Sequence, residues 1–353
     1  MIKNLQALRF VFIMLVVMSH IIGKTFDFGG ECGVSFFFIL SGFILSYAYG
    51  EKVQARIFDK KRFIQKQLSK FYPLHVLLFF IMIILDVRLG FFYSWDKLVA
   101  NLLLLQSWVP SDDFYFVGNG LSWFLSDLLF FYLVFPTAFR LLMNVSMRRL
   151  LTGSVLILLL YAGLATSIPG TLINPLLYAA PWTRLLDFSI GILLFRIYAS
   201  AIGMSFHNWL FRQPSAAVTL MELTLVLAVV TSFFIYEHAS LRFRCAALFW
   251  LILPAVIYFF SASDKQTGVV TQMLHTLPMQ WLGGISLEIY LTHYVLIRFL
   301  NSGLTYLGVG NEDRLSPLPL LLTISLIILV AYLTKRYFVV PFSSLLVKRI
   351  NYS

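Results

Sequence analysis

Charge is what this chain has least of. Only 12% of its 353 residues are Asp, Glu, Lys or Arg, about half the share found in soluble domains. That shortage excludes a soluble globular protein. Cysteine is almost missing as well. Cys32 and Cys245 are too few and too far apart to frame a disulfide scaffold or a metal centre, so no metal is expected. There is no low-complexity segment, no tandem repeat, and no polar stretch long enough for a separate soluble domain. The first apolar run lacks a small-residue cleavage site and carries Arg9 and His20, so a removable signal peptide is not expected either.

What is present points one way. The composition is 59% hydrophobic with 35 phenylalanines, and the mean hydropathy is +0.84. These values define an all-α, polytopic transmembrane helical bundle, read here as one integral membrane domain over residues 1–353. The formal net charge is +11. The positive residues gather between apolar runs, so membrane topology and anionic headgroups explain them, and no nucleic acid is expected.

About ten spans are expected. They cover roughly Leu5–Gly23, Gly33–Tyr49, Phe71–Leu89, Leu121–Met143, Leu150–Thr166, Leu185–Ala201, Ala217–Tyr236, Ala246–Ser261, Trp281–Leu300 and Leu318–Tyr337. A short Gly-rich link with Lys24, Asp27 and Glu31 joins the first two. Leu98–Val109 is apolar but short for a crossing, and is read as a re-entrant or tilted piece. The segment Glu51–Lys70 is the most basic of the protein and is expected to be a cytoplasmic loop. Arg140, Arg148 and Arg149 follow another span, and Lys335, Arg336, Lys348 and Arg349 close the chain. An even number of crossings then puts both termini in the cytoplasm.

Polar side chains inside the apolar runs are expensive and need a reason. Arg9 and His20 lie eleven positions apart in the first run, so on a helix they share a face, ~16 Å apart along the axis. Asp127 sits in an apolar helix. Arg184 and Asp187 are spaced i,i+3, which suits an ion pair that either staples a helix end or lines a path. Glu288, Tyr290 and His293 mark a late helix, and His75 follows the basic segment. Glu288 alone reads as a favourable charge at a helix start. As a set, groups from separate helices should face a shared polar interior.

The chemistry of that set fits two classes of protein. A histidine can take a proton from a hydroxyl, a carboxylate can orient it, and an arginine can hold a phosphate or a developing oxyanion. A basic segment can receive a polyphosphate donor. Those parts suit acyl transfer from a nucleotide thioester to a hydroxyl. They also suit a transporter or flippase that moves a glycan or acyl donor without chemistry.

Six blocks, in order, resemble the acyltransferase 3 family of integral membrane O-acyltransferases. Leu8-Arg9 with His20 matches its arginine, ten residues, histidine pattern. Gly33-Val34-Ser35-Phe36-Phe37-Phe38-Ile39-Leu40-Ser41-Gly42-Phe43 matches its second-helix signature. KQLSKFYP, Lys66–Pro73, occupies the place of its basic, proline-ended segment. Trp123-Phe124-Leu125 through Asp127, Tyr132 and Pro136 matches a third helix. Arg184-Leu185-Leu186-Asp187-Phe188 with Gly191 matches another, and Ile285-Ser286 through Tyr290-Leu291-Thr292-His293 the last.

The resemblance implies an acetyl-CoA donor and a carbohydrate acceptor, such as O-antigen, exopolysaccharide or a similar glycan, in the bacterial cytoplasmic (inner) membrane and its lipid. It implies a catalytic His20, with Arg9 holding the donor or stabilising charge and Asp127 orienting a partner. Lys66, Lys70 and Arg9 would bind the donor, and Trp123, Arg184, Asp187 and His293 would line the acceptor side. The chain departs from the family pattern in three places. Ser35 stands where an aspartate is frequent, Lys66 and Lys70 stand for arginines, and Asp127 stands for a glutamate. A lysine keeps the charge but loses the bidentate fork.

Overall fold

The computed structural model describes residues 2–22, 29–306 and 316–352. Lys24 and Asp27 of the expected link lie outside them. Among the described residues the chain is all-helical, with no strand. The chain begins with α1 (Lys3–Ile22), α2 (Gly30–Gln54), α3 (Lys60–Arg88), a short α4 (Trp95–Leu102), α5 (Asp112–Tyr115), α6 (Trp123–Asn144) and α7 (Met147–Ser167). Then follow α8 (Pro181–Tyr198), α9 (Ala201–Phe211), α10 (Ser215–His238), α11 (Leu241–Arg244), α12 (Ile252–Ala262), α13 (Val269–Leu274), α14 (Leu277–Gly284) and α15 (Ser286–Tyr306). A last long helix, Pro317–Thr334, runs through a π-helical turn, Lys335–Val339, into a final helix, Val340–Tyr352.

The basic segment is helix rather than loop, which corrects the sequence expectation. α2 ends at Gln54 and α3 begins at Lys60. The Asp59 side chain caps α3 by accepting from the Arg62 N–H at 2.9 Å, and Lys and Gln are good helix formers behind it. Lys66 and Lys70 therefore sit at fixed positions on one helix. The ends of α2 and α6 meet here. Arg140 Nε donates to the Val53 carbonyl at 3.2 Å, and Arg196 Nη1 to the carbonyls of Leu142 and Val145 at 2.7 and 2.9 Å. This is the basic end of the bundle.

Among the described residues, seven helices are long and apolar enough to cross a membrane, or eight if the pair α8–α9, bent by 70°, counts as one. Two of the ten expected spans fall short of that standard. α12 has only 11 residues, because the chain before it is a 3₁₀ turn at Ala247–Phe249. α15 has 21 residues, but it carries Glu288, His293 and Arg298 within an otherwise apolar sequence.

The Leu98–Val109 piece does not cross. α4 has 8 residues, about 12 Å of helix, and a 3₁₀ turn follows at Gln106–Trp108. Its backbone is tied to mid-helix positions instead. Tyr72 donates to the Leu102 carbonyl at 3.1 Å, Ser126 to Leu104 at 2.6 Å, and a His75 ring nitrogen meets the Asn101 carbonyl at 3.1 Å. Irregular backbone at this depth is tolerated because protein groups satisfy it.

α2 and α8 are the most closely apposed pair of helices. Gly42 and Gly191 face each other across them. A methyl group on Gly42 would meet the Phe188 carbonyl oxygen, and one on Gly191 the Ile39 carbonyl oxygen. Here the lack of a side chain is a packing requirement rather than a turn requirement, as in other membrane helix crossings. Gly42→Ala should therefore lower the melting temperature of the detergent-solubilised protein, with a cost of about 1–3 kcal/mol for overpacking. Gly153→Ala meets nothing within 4 Å and should leave the melting temperature unchanged or slightly raised, since Ala is the better helix former.

Candidate active site

A cavity of about 370 Å³ opens between α1, α2, α3, α6 and α15. Its polar lining is Gln6, Arg9, Ser41, Tyr49, Gln67, Lys70, Tyr132, Ser286 and Tyr290. Helix periodicity explains who faces it. Leu5 and Arg9 share one stripe of α1, and Ser41, Leu45 and Tyr49 share one stripe of α2. Arg9 and Lys70 put two cations on the wall, and among the described residues no carboxylate lines it. Lys70 Nζ is held by Gln67 Oε1 at 2.8 Å. Glu288, Tyr132 and the like-charged Lys70 are within electrostatic reach of Arg9. Glu288 is 4% exposed and lies 3.8 Å from Lys335 Nζ, which also donates to the Gly284 carbonyl. A small, mostly apolar chamber with two cations and no carboxylate on its wall is an anion site.

His20 stands three turns beyond Arg9 on α1 and does not line this chamber. It meets His293 instead. The His293 Nε2 to His20 Nδ1 distance is 3.3 Å, and the ring centroids are 5.2 Å apart. Each ring also turns Nδ1 toward the carbonyl one helical turn back, His20 to Val16 at 2.8 Å and His293 to Ile289 at 2.9 Å. A carbonyl only accepts, so both Nδ1 atoms carry the proton. His293 Nε2 is then a lone pair that shares the His20 Nδ1–H. The basic nitrogen of His20 is consequently Nε2. This arrangement fixes the tautomer of His20 without a carboxylate.

The other residues singled out from the sequence are placed as follows. Lys66 is exposed one turn from Lys70 toward the basic end, outside the cavity lining. Asp127 is fully buried, and neither carboxyl oxygen has a hydrogen-bond partner among the described residues. Its charged neighbours are Arg184 and Asp187, with Ser107 beside it. No bond joins it to His20. Trp123 is 2% exposed, packed on Tyr178 at 4.8 Å and Phe38 at 6.2 Å.

Arg184 and Asp187 are both fully buried, 2.8 Å apart. The guanidinium is engaged on all sides. Nε donates to Tyr178 O, Nη1 to Ser35 Oγ at 3.0 Å and to Asp187, and Nη2 to Cys245 O at 2.8 Å. Asp187 Oδ1 accepts from the Trp250 indole. Ser35, the departure from the family pattern, is thus one partner of this knot, with Asp187 as its carboxylate.

Tyr290, Gln67 and Tyr132 also reach the site, although their sequence pattern assigned them no role there. Tyr290 carries a usable signal, since it precedes His293 by one turn on the same face. Its ring is 6.1 Å from His293, and it lines the cavity on its other side. Gln67 and Tyr132 carry no such signal, because only the packing of α3 and α6 turns them inward. Among the described residues no group of three or more His, Cys, Asp or Glu side chains is placed to hold a metal.

The fold is a bundle of apolar helices around a chamber with Arg9 and Lys70 on its wall, and the His20–His293 pair lies beyond that chamber. The chain belongs to the acyltransferase 3 family, whose profile, described as an acyltransferase domain, matches residues 2–336. It is an integral membrane O-acyltransferase. It is similar to the acyltransferase MdmB of Streptomyces mycarofaciens, with 29% identity over 290 residues, covering 76% of this chain and 69% of the relative. It is also similar to the O-acetyltransferase OatA of Staphylococcus aureus strain NCTC 8325, with 23% identity over 314 residues and 85% of this chain covered. The alignment spans about half of OatA, 51% of its length. No solved structure matches the chain.

The Arg184 knot generates a stability prediction. Asp187→Ala leaves a buried guanidinium without its counter-charge, and removing one partner of a buried pair costs about 3–5 kcal/mol. The variant should accumulate poorly in membranes and melt well below the wild type by fluorescence-detected unfolding. An unchanged melting temperature would contradict the role given to the pair.

Proposed function

We propose that the protein transfers an acetyl group from acetyl-CoA to a hydroxyl of a cell-surface or lipid-linked carbohydrate, from within the bacterial cytoplasmic membrane. The single observation that carries this reading is the alignment of the Arg9–Lys70 chamber with the His20–His293 pair along one helix face. In this reading the basic end faces the cytoplasm, where the donor is made, and both chain termini lie there.

The donor's phosphates meet Lys66 and Lys70 at the mouth, and Arg9 holds the polar part of the arm or the thioester oxygen. His20 Nε2 removes the proton of the accepting hydroxyl. The hydroxyl oxygen bonds to the acyl carbon, the C–S bond breaks, and the thiolate takes up the proton. If His20 Nε2 attacks first, the same bond changes are split in two, through an acyl-imidazole that the hydroxyl then opens. His293 serves both routes by holding His20 in its Nδ1–H form. Asp127 supports the first half of α6 through its charge neighbours. Trp123, Arg184 and Asp187 contribute to the acceptor side by fixing the helices that border it.

The relatives' printed activities, acyl transfer and O-acetyl transfer, support the reaction class. His20→Ala should abolish acetylation of surface glycan, read by mass spectrometry of glycan from cells with equal amounts of each variant. Full acetylation at normal abundance would contradict the role of His20. Lys70→Ala should raise the donor KM by about tenfold, the loss of one charge-assisted contact, with a smaller effect for Lys66→Ala. Thiol release over a range of acetyl-CoA concentrations measures both.

A further inference from the structure

The cavity does not reach the histidine pair, and what stops it is a wall of rings. Phe37, Phe124 and Tyr290 line the end of the chamber farthest from the basic end. The Phe37 and Phe124 centroids are 6.4 Å apart, and those of Phe124 and Tyr290 are 4.9 Å apart. Directly behind Tyr290 lies His293, at 6.1 Å. Two of the three rings are fixed. Tyr290 is buried and its hydroxyl donates to the Leu121 carbonyl at 3.0 Å. Phe124 stacks on Phe38 with centroids 4.5 Å apart. Phe37 is only partly buried and is the least enclosed of the three rings. Behind the wall the bundle is filled. Ile13, Val16, Val17, Val34 and Phe38 are each 2% exposed or less.

We propose that the Phe37–Phe124–Tyr290 wall selects the acyl group by length, passing two- and three-carbon acyl groups to His20 and rejecting longer ones. The proposal rests on the acetyl-CoA reading above and assigns the residues that limit the length of the acyl group. The thioester end of the donor must come to the wall for its acyl carbon to meet His20, and each added methylene must lie between rings or displace packed Ile and Val side chains. A native core does not yield such space cheaply. Substrate discrimination by one or two methylenes in an apolar slot is modest per carbon, so several carbons are needed for near-complete rejection.

The test uses membrane vesicles that hold the full-length protein and its native acceptors. Thiol release is measured with acetyl-, propionyl-, butyryl- and hexanoyl-CoA, against vesicles holding His20→Ala. The wild type should use the acetyl and propionyl donors and use hexanoyl-CoA at least 100-fold less well. Phe37→Ala should raise the hexanoyl-to-acetyl ratio at least tenfold. Gly153→Ala, away from the chamber, should hold the wild-type ratio, and retained acetyl-CoA thiol release by Phe37→Ala itself guards against a fold defect in that variant. Equal use of hexanoyl- and acetyl-CoA by the wild type overturns the proposal. So does an unchanged ratio in Phe37→Ala together with Phe124→Leu, and in both cases acyl transfer itself stands. Absence of His20-dependent thiol release from every donor overturns the acyl-CoA reading and the wall with it.

Discussion

A polar group placed in this bundle is costly unless another protein group answers it, because hydrocarbon offers none. That constraint sorts the side chains more sharply than any motif. Arg184 is answered in full, by Asp187, Ser35 and the carbonyls of Tyr178 and Cys245. The carbonyls of the short α4 segment are answered by Tyr72, His75 and Ser126. These are structural solutions, and they are closed. Arg9 and Lys70 are answered only in part and border open space. In a membrane interior, incomplete compensation beside a cavity is the mark of a group kept for a ligand.

The same constraint explains the histidines. His293 is buried in the bundle and His20 is exposed at its end of α1, and their contact requires that the ring protons be assigned. The carbonyls of Val16 and Ile289 assign them, one turn back on each helix. The result is a base whose free nitrogen is Nε2, set up by helix geometry and by a second histidine. Soluble hydrolases use a carboxylate for that purpose. Here a carboxylate would bring a second buried charge into hydrocarbon, and a neutral ring does the positioning at lower cost. The close α2–α8 crossing at Gly42 and Gly191 then holds the α2 stripe of Phe37, Ser41 and Tyr49 against the chamber.

Much of this was legible in the chain. The apolar runs, the Arg9–His20 stripe and the short Leu98–Val109 piece follow from helix period and span length, and each has its counterpart in the structure. The i,i+3 spacing of Arg184 and Asp187 announced their pair, but not that it would be sealed. Whether a buried charge is closed or open depends here on Ser35 and Cys245, 149 and 61 positions from Arg184, and local spacing carries no such information. Lys66 and Lys70 read as loop residues because lysine density signals topology, while Asp59 and the helix formers behind it decide the local structure. The partnership of His20 with His293 joins the first helix to α15, and no local pattern encodes a contact over that separation. Length and composition alone pick out seven or eight of the expected spans among the described residues, for a related reason. Glu288, His293 and Arg298 lower the hydropathy of α15, and of the three His293 meets His20.

The proposed chemistry depends on the donor binding in the chamber beside Arg9. The direct measurement exploits the scarcity of cysteine, since Cys32 and Cys245 are both buried. Ser41→Cys places one reactive thiol on the chamber wall. Its labelling by a maleimide in membranes, with and without coenzyme A, reports occupancy. Protection by coenzyme A, and loss of acetyl-CoA thiol release once the introduced thiol is labelled, is the result expected here. Labelling at an unchanged rate in saturating coenzyme A, with full thiol release from the labelled protein, would contradict it.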